Sequence, residues 1–152
     1  MTKLETFRKF LADQGYRPQL HDDYVLFQHE GGKYLIPLDD NDPKFFRIVF
    51  PNFWQHDTPE AHRSVLETAA AVTGSMKLVK VFPSGNDTVA SVEFVLPDEN
   101  AFREVFPRAL TTLQLACREF CAAMTMRSRG NPVLDALKRL LGGGDGGQAP
   151  AA

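Results

Sequence analysis

Tyr24-Val25-Leu26-Phe27-Gln28-His29-Glu30-Gly31-Gly32-Lys33-Tyr34-Leu35-Ile36-Pro37-Leu38 holds two short runs, rich in aromatic and β-branched residues, on either side of Gly31-Gly32. A pair of glycines between two such runs supplies the backbone freedom of a tight two-residue loop, so the stretch predicts a β-hairpin. Pro37 has no amide hydrogen, which places its strand end near a sheet edge or a bulge. Outward from the hairpin, Arg17 to Leu20 offers a short strand before it. The polar turn Asp39-Asp40-Asn41-Asp42-Pro43 leads to a third strand, Lys44 to Phe50, that stops at Pro51.

Helical periods flank this block. Thr2-Lys3-Leu4-Glu5 has the form of a capping box, and Leu4, Phe7, Phe10 and Leu11 make one apolar stripe ahead of Gly15. Thr58-Pro59-Glu60 is a strong helix start, followed by the stripe Ala61, Val65, Leu66, Ala69 and Val72, with Gly74 as its expected end. Met76 to Phe82 and Thr88 to Leu96 form a second hairpin. Ala90, Val92, Phe94 and Leu96 alternate with Ser91 and Glu93, so one face of the last strand is wet. A long helical segment carries Phe102, Val105, Phe106, Leu110, Leu113, Cys117, Phe120 and Met124 on one side. At Pro107 either one helix kinks, or a short helix ends and the main helix starts with Pro in its first turn, the second being the preferred reading. After Gly130-Asn131-Pro132, the residues Val133, Leu134, Leu137, Leu140 and Leu141 make a short amphipathic helix. Runs of strands separated by helices predict an α+β fold with an antiparallel sheet, one face covered by the first and last helices. The predicted organisation is one domain over 1–129, a tail helix over 130–141 and a disordered Gly/Ala-rich tail over 142–152.

The 152 residues are 43% hydrophobic, enough for a core, and their twelve Phe against one Trp and three Tyr make it a Phe-built one. A net charge of −2 argues against a dedicated nucleic-acid binder. The charge is divided: residues 1–100 hold ten basic and fifteen acidic side chains, and residues 101–152 hold seven and four. Two Cys and no apolar leader fit a cytoplasmic protein. No run approaches the apolar length of a membrane span.

The order helix, three strands, helix, two strands, helix resembles the type III secretion chaperone-like fold. Within it, Leu4 to Leu11 closed by Gly15, Tyr24 to Leu38, Met76 to Val81 and Ser91-Val92-Glu93-Phe94 resemble the YbjN-type family of proposed bacterial sensory transduction regulators. The resemblance spans residues 2–126 and rests on pattern and order. It implies a small protein that binds other proteins, often as a homodimer, and it supplies no catalytic or ligand residues. Chaperones of this fold hold an extended client segment against their sheets and helix grooves.

The residues themselves carry no catalytic signature. His21, His29, His56 and His62 show no ligand spacing, and no metal or cofactor is expected. Cys117 and Cys121 share one side of the long helix, four apart and away from a helix N-terminus, which reads as core or interface thiols. Asp39 to Asp42 fails the calcium-loop pattern, because Phe45 stands where a Gly is needed. There is no G-x-S-x-G, phosphate loop or dinucleotide loop. Phe45, Phe46, Ile48, Val49 and Phe50 are nearly continuously apolar. Either both faces of that strand are covered, or one is an interaction surface. The expected function is a non-enzymatic module that holds a protein or peptide client, its contacts drawn from Phe45, Phe50, Phe53, Trp54, Leu137 and Leu141. The alternative is a small-molecule-sensing regulatory domain, which an enclosed pocket would favour.

Overall fold

A computed structural model describes residues 1–129 and 132–142. Its elements run α1 (Lys3–Asp13), β1 (Gln19–Leu20), β2 (Tyr24–His29), β3 (Gly32–Pro37), β4 (Phe45–Phe50), α2 (Pro59–Ser75), β5 (Val79–Ser84), β6 (Asp87–Val95), α3 (Phe102–Arg129) and α4 (Pro132–Gly142). The six strands form one sheet in the order β1-β2-β3-β4-β6-β5, and each neighbouring pair is antiparallel. Helix α1 lies on β1 and β2, α3 on β4, β5 and β6, and α2 on β5 and α3. The protein is thus mixed α+β, with helices layered on one sheet face.

Local chemistry explains the element ends. Thr2 caps α1 by accepting from the Glu5 amide, while the Glu5 carboxylate accepts from the Thr2 amide. These bonds, the backbone one above all, hold the Glu5 carboxyl below its usual range. At the other end Gly15 adopts φ +90°, so its amide reaches the Ala12 carbonyl and the Tyr16 amide the Leu11 carbonyl, both at 3.0 Å. That pair of bonds is a Schellman closure.

Several boundaries differ from the sequence expectation. The first hairpin turns on Glu30-Gly31, both at positive φ, and Gly32 belongs to β3. The reason is steric. A Cβ on Gly32 would stand 3.0 Å from ring atoms of both Phe50 and Tyr34, which stack with centroids 4.7 Å apart. Gly32→Ala is therefore expected to cost about 1–2 kcal/mol by forcing those rings apart, read as a lower urea midpoint at unchanged slope. Helix α2 passes through Gly74 and ends at Ser75, where Met76 turns extended. Pro107 neither ends nor starts a helix: α3 runs unbroken through it. The carbonyl deprived of its partner belongs to Arg103, in the solvent-exposed first turn, where water can serve it. Pro37 sits at the end of an interior strand. Its position facing β4 lies beyond the only β3–β4 register pair, Leu35 with Val49, so no ladder bond is lost.

The core is aromatic. Phe102 meets Phe7 and Phe10 edge to face, with centroids 4.9 and 5.2 Å away, and lies 5.8 Å from Phe46. Phe106 extends the cluster to Phe10 and Phe27. Together these rings join α1, the sheet and the start of α3.

Candidate functional site

Strand pairing fixes which side chains face away from the helices. On β4, Phe46 and Ile48 are buried under α3, so Phe45, Arg47 and Val49 point to the other side. Register extends that outer face across the sheet: Val95, Glu93 and Ser91 stand opposite these three on β6, and Leu35 stands opposite Val49 on β3. Leu26 and Tyr24 continue it on β2, and Lys80 and Phe82 on β5. No helix among the described residues packs on this face. Phe45, Val49, Leu35, Leu26 and Tyr24 are half-buried by their neighbours alone, and Val95 is 80% exposed. Leu78, which holds φ +66°, stands exposed at the end of the same row.

A polar array crosses the centre. Lys80 Nζ pairs with Glu93 Oε1 at 2.8 Å, and Ser91 Oγ donates to the same oxygen at 3.3 Å. Arg47 lies directly across from Glu93, and its guanidinium sits 5.9 Å from the centroid of the Phe45 ring. Its Nε is buried and, among the described residues, has no hydrogen-bond partner. A buried donor without an acceptor is costly, and an incoming carbonyl or carboxylate would relieve that cost.

The sheet's long edge is closed. Leu78 bonds to β6 through its carbonyl, so by alternation the backbone groups of Val79, Val81 and Pro83 face outward. Thr73 Oγ1 of α2 accepts from the Val81 amide at 3.0 Å and faces its carbonyl at 3.5 Å. Pro83 has no amide to offer. The opposite edge, β1, is two residues long. Strand-edge hydrogen bonds to a client would find no free edge at β5.

The candidate contact residues divide. Phe45 belongs to the outer face. Phe50, an odd number of positions on, points to the helix side, where it stacks on Tyr34 and on Phe53. Phe53 and Trp54 then pack on Phe120 of α3, with centroids 5.3 and 6.0 Å away. The loop is held by Thr88, whose hydroxyl donates to the Trp54 carbonyl at 2.8 Å. The four aromatics therefore do not form one patch. Leu137 and Leu141 are exposed on α4.

Elsewhere the chemistry is sparse. His56 and His62, six apart in sequence, meet through Nε2 and Nδ1 at 3.0 Å and stack. Spacing alone did not show this pair; the turn capped by Thr58 brings it together. Two nitrogens fall short of a metal set, and no cluster of three ligating side chains occurs among the described residues. A cleft of about 360 Å³ between the first hairpin and α3 is lined by Tyr34, Phe50, Gln114, Cys117, Arg118 and Cys121. Burial pushes the Cys117 thiol up to about 12 and raises Cys121 as well, so neither is a ready nucleophile. No helix among the described residues is long and apolar enough to cross a membrane.

Neither a known family profile nor a curated protein matches the sequence. Solved structures do match the fold. YbjN from E. coli, described as a proposed transcription regulator, superimposes with a TM-score of 0.55 at 16% identity, over 83% of this chain and 92% of that one. The fold is YbjN-like. An uncharacterized protein from Methanothermobacter thermautotrophicus shares the YbjN-like architecture, with a TM-score of 0.55 at 10% identity over 83% of this chain and 99% of its own. At such identities the likeness concerns the fold, and the outer sheet face stands on its own geometry.

Proposed function

We propose that the chain is a non-enzymatic adaptor or regulator that binds a protein client on the outer face of its sheet. The observation that carries this reading is a broad apolar face with no covering layer, centred on an Arg47 donor that lacks a partner. Such a face fits an amphipathic segment that presents apolar side chains to Phe45, Val49, Leu35 and Val95 and an acceptor to Arg47. Because the β5 edge is closed, the client lies across the strands and does not add to them. Phe45 is the proposed contact among the four aromatics, and Phe50, Phe53 and Trp54 fix the β4–α2 loop on α3. The described clefts are open to solvent, which favours this reading over small-molecule sensing.

Photoreactive side chains placed at Val95 and Lys80, with Arg63 on α2 as control, test this in cells of the source organism. The expected result is one protein captured from both outer-face positions and not from the control. Its affinity should fall about tenfold or more in Phe45→Ala, as for a contact hot spot. Equal capture from all three positions, or an unchanged affinity, would sink the reading.

A further inference from the structure

Leu78 is strained and exposed at once. Its φ of +66° lies in the left-handed region, where a bulky side chain crowds the backbone and glycine rests most easily. Packing does not explain the choice of residue, because the side chain is 47% exposed. The backbone is held in place all the same, with the Leu78 carbonyl accepting from the Glu93 amide at 3.1 Å. A leucine kept where glycine would relieve strain, and where the core gains little from it, points to a contact outside the monomer.

The neighbours of Leu78 define that contact. Leu78 stands beside Glu93, and Val95, further along β6 and open to solvent, lies opposite Phe45. These three apolar residues make one corner of the outer face. Arg47 borders the corner, its guanidinium leaning toward the Phe45 ring. Among the described residues Arg47 makes no salt bridge, and Glu93, directly across from it, is engaged by Lys80. By strand alternation the outer face holds three cations, Lys33, Arg47 and Lys80, against the two anions Glu93 and Asp87, in a chain whose net charge is −2. The surplus on this face is therefore positive, and its unpaired member sits beside the apolar corner.

We propose that the client presents one helical turn to this corner, with a carboxylate on Arg47 and an aliphatic side chain between Leu78, Val95 and Phe45. This rests on the outer face being the client surface. The spacing agrees, since Arg47 and Phe45 stand about 6.6 Å apart along β4 and residues three or four apart on a helix about 5–6 Å. A guanidinium takes a carboxylate through two parallel bonds, a geometry that lysine lacks. An extended client would need backbone partners, and the β5 edge beside the corner offers none.

The protein captured through Val95, produced in isolation, is the probe, and calorimetry reads its affinity for the full chain. Arg47→Met and Arg47→Lys are each expected to weaken binding by about tenfold or more, because lysine keeps the charge without the fork. Arg47→Glu should abolish binding, and exchanging a single acid of the cross-linked segment for Lys should restore it. Leu78→Ala and Leu78→Gly should both weaken binding by about tenfold or more. In the free chain their order reads the strain, with no client needed. Leu78→Gly should have the higher urea midpoint, the reverse of the usual ranking of alanine over glycine. Capture from neither outer-face position ends the client reading and this inference with it. Capture followed by native affinity in the Arg47 or Leu78 variants, or by a charge reversal without rescue, overturns the inference and leaves that reading standing. A Leu78→Gly midpoint at or below that of Leu78→Ala overturns the part assigned to strain.

Discussion

Phe102→Ala is expected to lower stability by about 4 kcal/mol, within the range for deleting a fully buried ring. Phe102 is 1% exposed and touches the rings of Phe7, Phe10 and Phe46. Those partners come from α1 and from β4, so the cavity cannot close without moving a helix against the sheet. Most single substitutions cost far less, and a loss of this size is a large share of a small domain's total. Urea unfolding followed by far-UV circular dichroism reads it as a lower midpoint at constant slope. A loss under about 1.5 kcal/mol would mean that the site collapses around the hole and that α1 is loosely held.

The second large effect is one of alkaline pH. Burial raises the folded-state pKa of Cys117 from 9.0 to about 12, with Cys121 nearby as the smaller cause. The folded chain therefore holds the neutral thiol, whereas the unfolded chain gives up the proton from about pH 9 upward. Its contribution is fully present below pH 9 and is lost as pH rises toward 12, at about 1.4 kcal/mol per pH unit. Cys117→Val has no such proton. The stability advantage of the native chain over this variant should hold steady from pH 7 to 9 and shrink by roughly 2 kcal/mol by pH 10.5. Tyr16 and Tyr34 are also raised, chiefly by burial, which both chains share; the Cys117 thiolate is only a lesser cause of the Tyr34 shift, so most of their contribution cancels in the difference. A difference that stays flat would show the thiol to be open to water in the folded state.

Much of the architecture was legible because local chemistry and global fold agree. The capping box at Thr2 and Glu5, the cap at Thr58 and the glycines at 15 and 31 each form the end or turn that their residue types favour. What escaped is what depends on distant neighbours. Gly32 looks like loop in sequence, yet the Tyr34 and Phe50 rings above it make it strand. Pro107 looks like a helix boundary, yet the buried side of α3, from Phe102 to Met124, carries the helix through it. The period of two already separates Phe45 from Phe50, but only the layering of α3 tells which of them faces out. The outer face itself was half visible in the alternation of Ser91 and Glu93 with Val92 and Phe94. Its polar centre was not, because Arg47, Lys80 and Glu93 lie on three strands that only register brings together.

The Thr73 hydroxyl on Val81 has a consequence for the chain in bulk. An apolar sheet with a bare end strand invites copies to stack end to end, which is how soluble domains seed fibrils. Here the end strand is occupied by a side chain of the same molecule and finished with a proline, and the far end is two residues wide. The protein can therefore keep a broad greasy plane exposed at high concentration without polymerising through its backbone. Pairing through the β5 edge requires α2 to lift off it, so this edge is guarded by how firmly that one helix is held.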